Sequence, residues 1–195
     1  MRINHLLPTL LTASLMLGCF SSSDSLEKTE KINNDRIDKQ AVALSDDAKK
    51  EAKEVAKKMV QLSNSGHTEY ELSKIALTKA TNPEVRAYAQ RVMNDHQADD
   101  RTLQSLAKQM NVTLPAELAG ESKDHLSKLT DMTKGTAFDL QYLDFMKDLN
   151  DDGIDAADDL KDNAPNDAVK SFAKKLLDDD KKHKEQSREL KNVLD

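Results

Sequence analysis

A single cysteine, no tryptophan, four prolines and five glycines leave this 195-residue chain few ways to build a fold. One cysteine excludes an intramolecular disulfide, so stability must rest on packing. Aromatic residues make up only 4%. A core with so few rings is slim, and the abundance of Ala, Leu, Lys, Asp and Glu suits helices. Basic excess is also missing. The formal charge is -6 and the isoelectric point about 5.4, which excludes the basic face that nucleic-acid phosphates require. An acidic surface of this size is ordinary for solubility. The chain carries no G-x-S-x-G elbow, phosphate loop or dinucleotide fingerprint, so nucleophilic and nucleotide chemistry have no motif to stand on.

Long apolar runs are confined to the first 18 residues. Arg2 precedes Leu6, Leu7, Leu10, Leu11, Leu15, Met16 and Leu17, the charged-then-apolar layout of a secretory signal, short for a bilayer span. It ends at Gly18-Cys19, which is similar to the bacterial lipobox, where the cysteine receives the lipid. The reading is a lipoprotein signal over 1–18, with Cys19 lipidated and no transmembrane helix needed. An ordinary cleaved signal with a chance cysteine is the alternative. Residues 19–44 show no sustained apolar period and read as a disordered tether. Phe20-Ser21 lacks the Asp that often retains lipoproteins at the inner membrane. The expected location is therefore the periplasmic face of the outer membrane, with the membrane itself the one partner the sequence names.

From Ser45 to Asp195 the apolar residues fall at helical spacing. Ser45 or Asp46 caps a line through Ala48, Ala52, Val55, Met59 and Leu62 that continues past Gly66 to Glu69, Ser73, Ala76 and Ala80. Either one long helix passes through Gly66 where another backbone comes close, or two helices break there. Asn82-Pro83 opens the next helix, Asn111 to Gly120 is a loop, and Glu121 to Met132 is a short helix able to cross a bundle. Thr136 to Asp162 and a final helix after Asn166 complete the chain. VRAYAQRVMND at 85–95 reads against VKSFAKKLLDD at 169–179. A duplicated helical hairpin explains the pair, and a shared helix-forming alphabet is the alternative. The expected fold is all-α: a ferritin-like four-helix bundle with a short crossover helix.

Two seams are interrupted at their middles. Val85, Ala89, Val92, His96, Asp99, Leu103, Leu106 and Met110 step by fours and threes. Val169, Ala173, Leu176, Asp180, His183, Ser187, Leu190 and Leu194 do the same. His and Asp three apart face one way. Glu69, His96, Asp99, Asp180 and His183 thus form a candidate metal-ligand set for Fe, Mn or Zn. The competing reading is a polar layer in which His and Asp satisfy each other and fix register without binding anything. Glu69 also has a plain reading, as a solvated or capping acid near Gly66. Residues 148–159 match a D-x-N-x-D-G calcium loop imperfectly, with Asp155 at the usually apolar eighth position and Asp159 at the twelfth. An acidic helix face competes with it.

Several segments resemble the bacterial domain of unknown function 4142 family, a ferritin-like helical domain of exported proteins. They are EYELSKIA at 69–76, NPEVRAYAQRVMNDH at 82–96, LPAEL at 114–118, FDLQY at 138–142, and Phe172-Ala173 through His183. The resemblance covers about residues 55–190. It implies an acid at Glu69 and histidines at His96 and His183. The family pattern usually carries a further His where this chain has Asn150. The expected function is that of a lipid-anchored periplasmic helical-bundle module of unknown activity, with a non-catalytic binding or structural role in the envelope. The alternative is a metal-binding ferritin-like protein, a di-metal oxidase or a metal store.

Overall fold

The structure, a computed structural model, describes residues 24–40 and 44–194. Among them there are six helices and no strand. They are α1 (Asp24–Gln40), α2 (Asp46–Lys79), α3 (Pro83–Gln109), α4 (Gly120–Asp131), α5 (Thr136–Asp162) and α6 (Asp167–Leu194). The signal segment and Cys19 lie outside the described residues.

Three of the four long helices start where a side-chain cap places them, and α5 begins at Gly135 without one. Ser45 Oγ accepts from the Ala48 amide at 3.2 Å. Asn82 Oδ1 accepts from Glu84 and Val85 at 2.7 and 3.2 Å, with Pro83 at the first turn. Asn166 Oδ1 accepts from Val169 at 3.0 Å. These bonds satisfy amides that have no partner inside their own helix. The two segments of the sequence repeat thus begin under equivalent Asn caps. Each follows a long helix and packs back against it, α2 with α3 and α5 with α6. The hairpins join through α2–α5 and α3–α6 contacts, so the four long helices enclose one interior. Short α4 lies across α2 and α5.

That interior holds two apolar clusters. One gathers Val55, Met59, Leu106, Leu160, Phe172 and Leu176 near the start of α2. The other gathers Leu72, Tyr88, Val92, Phe138, Tyr142 and Met146 near its end. The buried polar residues Glu69, His96, Asn150, Asp180 and His183 lie at sequence positions between the two sets on every long helix.

Three expectations need correction or a decision. The segment expected as a disordered tether forms helix α1 over Asp24–Gln40 and packs on α2. It is held by polar rather than apolar contacts. Asn33 exchanges two hydrogen bonds with the Thr113 backbone at 2.8 and 2.9 Å, and Arg36 binds the Asn111 carbonyl at 2.7 Å. A search for apolar period is blind to such docking. Second, α2 runs unbroken through Gly66, and what approaches there is the His96 ring, 3.2 Å from where a Cβ would stand. Third, residues 148–159 sit inside α5. A continuous helix cannot wrap its carboxylates around a calcium ion as a loop does, so the acidic-face reading holds.

Candidate metal centre

Glu69, His96 and His183 come from three helices and meet in the middle of the interior. Each offers one ligand atom, and these atoms lie within 4.8 Å of one another. Glu69 is 1% exposed, His96 7% and His183 4%. His96 Nε2 lies 3.1 Å from Glu69 Oε2. The approach has ion-pair distance but not hydrogen-bond alignment, so His96 Nε2 has no hydrogen-bond partner. On the other side of the ring, Nδ1 faces Gly66. Any side chain at that position would press on the imidazole, and glycine here provides room for the ring rather than unusual backbone angles.

His183 is oriented from outside. Its Nε2 pairs with Asp95 Oδ2 at 3.0 Å, while its Nδ1 is buried without a partner. A carboxylate on one ring nitrogen keeps the proton there and turns the other lone pair inward, the arrangement metal-bound histidines use. Glu69 is steadied from two directions. Asn150 Nδ2 donates to Oε2 at 3.1 Å, and the Ser65 hydroxyl lies 3.3 Å from Oε1. Asp180 packs against Gly153, where an added Cβ would fall 2.5 Å from Oδ2, and its Oδ1 also lacks a partner. Buried polar atoms are normally paired. Three unpaired ones in a single layer, on His183, Asp180 and Asn150, stand beside a Glu69–His96 ion pair that lacks hydrogen-bond alignment, and they ask for something to bind.

Burial works against charge on His96, but the Glu69 carboxylate beside it prevails and lifts its pKa to about 9. Burial and then the neighbouring His96 push His183 below its ordinary value. Asp180 is pushed up, by burial first and by the Glu69 charge second. The layer thus favours one cation next to Glu69, with a neutral His183 ready to donate a lone pair. Beside it is a cavity of about 20 Å³ for water centres, lined by Glu69, His96, Asp99, Gly153 and Asp180 among others. One water needs roughly 10–15 Å³ by that measure.

Of the five sequence-derived ligand candidates, the structure brings Glu69, His96 and His183 together. Asp99 is buried on the expected seam but turns to Lys175 Nζ at 2.6 Å. Asp180 borders the cavity outside the triad.

A family model for a domain of unknown function, DUF4142, matches residues 38–190. The chain belongs to the DUF4142 family. Two solved structures share the DUF4142 chain's fold. A DUF305 protein from Streptomyces coelicolor, described as assumed to be secreted, is 13% identical with a TM-score of 0.63, covering 72% of this chain and 92% of its own. A DUF305 fragment from Deinococcus radiodurans is 11% identical with a TM-score of 0.64, covering 72% and 96%. At such identity the likeness speaks for fold alone. No curated protein matches the DUF4142 chain.

Three supporting residues are absent from the sequence-derived site, Ser65, Asp95 and Gly153. Asn150 enters the sequence reading as a departure from the family's histidine and as part of the 148–159 calcium-loop match, not as a partner of Glu69. A signal for it and for Gly153 exists. Asp139, Leu143, Met146, Asn150, Gly153, Ala157 and Leu160 are all buried at four-three spacing, a second inward line on α5 beside the aromatic one. Asp95 is half exposed and looks like any surface acid.

Proposed function

We propose that this DUF4142 chain is an exported, lipid-anchored binding module whose ferritin-like four-helix interior holds one divalent transition-metal ion. Glu69, His96 and His183 are its ligands. The observation that carries this reading is the convergence of three buried ligand atoms within 4.8 Å, with the His183 Nδ1 unpartnered and the His96 Nε2 facing Glu69 without a hydrogen bond. Metal–nitrogen bonds of about 2.0–2.1 Å would draw such atoms to roughly 3.4 Å apart in a tetrahedral site. Small rotamer adjustments close that gap. Two imidazoles and one carboxylate suit Zn²⁺ or Fe²⁺ better than Mn²⁺, which prefers oxygen. Asp180 is placed to supply a further oxygen or to hold a bound water.

A binding role is favoured over catalysis because the cavity at the site, about 20 Å³, has no room for an organic substrate. The lipid anchor rests on Gly18-Cys19, and no helix among the described residues is long and apolar enough to cross a membrane. The Streptomyces structural neighbour, described as assumed to be secreted, agrees with export. The outer-membrane assignment rests on Phe20-Ser21 alone.

Protein purified without added metal should retain roughly one ion per chain by elemental mass spectrometry. His96→Leu and His183→Leu should each abolish retention. Metal-free wild type whose melting ignores a strong chelator would favour the second reading, a polar layer that fixes helix register. The Glu69–His96 ion-pair distance is the observation behind that reading. Fatty-acid labelling should vanish in Cys19→Ser; labelling that persists would remove the anchor.

A further inference from the structure

The centre is closed off along the bundle by apolar clusters on both sides, so an ion must reach it from the flank. On the outer face of α2 and α3, His67 Nε2 pairs with Asp100 Oδ1 at 2.8 Å. Both side chains are partly exposed, 41% and 26%. Gln104 Nε2 donates to the other Asp100 oxygen at 2.8 Å and keeps the carboxylate facing this side. Beyond the pair opens a cavity of about 430 Å³, walled by Tyr70, Glu71 and the 115–118 loop. His67, His96 and Asp100 line both this outer cavity and the small inner one. The imidazole–carboxylate pair therefore stands in the wall between solvent and the centre. Gly66 lies beside it, where the lack of a side chain leaves the His96 ring as the inner neighbour.

We infer that His67 and Asp100 form a transit site for a divalent cation, which captures the ion in the outer cavity and passes it to His96. The inference rests on the metal-binding reading above. An imidazole nitrogen and a carboxylate oxygen are competent ligands for the same ions as the inner triad. With water completing the shell, they bind loosely enough to release. The Asp100 carboxylate puts negative charge on the outer wall, where Glu71 is already paired with Lys74. Charge of one sign in a cleft raises the local concentration of its counter-ion and the rate of capture, by about tenfold or more. His96 lies one helical turn before Asp100, so the next ligand is within one step of the first. The ion exchanges partners without crossing apolar core.

The test is the loading of cobalt(II) into the metal-free full chain, followed by the visible absorption of the bound ion. His67→Ala and Asp100→Asn should reach the same final stoichiometry as wild type but load about tenfold more slowly. Ala116→Trp, which narrows the outer cavity from the exposed loop and leaves both candidate ligands in the sequence, should also slow loading and leave the final stoichiometry intact. Loading at the wild-type rate in all three variants would overturn the transit site while leaving the inner centre standing. Loss of the final stoichiometry in His67→Ala or Asp100→Asn, with wild type loaded, would also overturn it, because the pair would then belong to the resident site. A wild type that takes up no cobalt defeats the metal-binding reading itself, and with it this one.

Discussion

At position 96 the balance of burial and charge has a sign that can be measured. An imidazole whose folded pKa is raised stabilises the fold while protonated. His96 moves from an ordinary 6.5 to about 9, so its contribution is whole below about pH 6.5 and is lost as pH rises through about 9. The size is at most on the order of 3 kcal/mol. Asp180, also raised, acts in the same sense from lower pH, contributing below its ordinary value and fading through its higher one. His183 is lowered, so it costs stability as pH falls below about 6.5, where the unfolded chain takes its proton first. Metal-free protein should therefore have a lower urea midpoint at pH 9 than at pH 6.5, and His96→Leu should flatten that difference. Equal wild-type midpoints would mean that Glu69 and His96 do not pair in solution. Metal reverses the preference, because bound histidine must give up its proton, so metal retention should strengthen as pH rises over the same range.

Among the elements, α1 and the α2–α3 turn show how much structure hangs on side chains that meet backbone. Asp139, near the start of α5, accepts from the Thr81 amide and hydroxyl at 3.0 and 2.7 Å and from the Asn82 amide at 2.8 Å. It fixes the first hairpin to the second, which gives a physical role to one of the residues that carried the family resemblance. Helix α1 depends on Asn33 in the same way. Asn33→Ala strands the half-buried Thr113 amide and carbonyl, a loss of about 1 kcal/mol. Faster amide exchange confined to residues 24–40 and the 111–117 loop is the expected result; unchanged exchange there would mean that α1 is held by something else. This contrast marks what was legible. The ends of α2, α3 and α5 were readable because Ser45, Asn82-Pro83 and Asn163 punctuate an apolar period. All three members of the triad were readable, His96 and His183 because imidazoles interrupt seams that otherwise want Leu or Ala, and Glu69 because it falls on the inward line of α2. Helix α1 was not, because its partners are backbone atoms about 80 residues away in sequence. Nor could the sequence distinguish Asp99 from Asp180. Both are buried at three residues from a histidine, and only the position of Lys175 turns Asp99 away from the centre.

For the whole molecule, the polar layer divides what would otherwise be one continuous core into two apolar clusters. Removing one member of such a layer leaves its partner buried and unpaired, which costs about 1–3 kcal/mol. Replacing the whole layer with apolar residues is different, since buried ionic groups exchanged for packed hydrophobes are often neutral or stabilising. Glu69→Leu, His96→Leu, Asp180→Leu and His183→Leu should each lower the melting temperature of metal-free protein. The fourfold variant should melt at or above the metal-free wild type. With metal the order changes. An ion that binds only the folded state adds about 2.7 kcal/mol at a hundred times its dissociation constant, and the fourfold variant cannot use it. Wild type should therefore melt higher with metal than with chelator, and the fourfold variant should melt at one temperature in both. A layer built for register alone would give chelator-independent melting in every variant. A layer built for binding accepts lower stability in the metal-free state, and its unpaired atoms on His183 and Asp180 are where that cost is expected to reside.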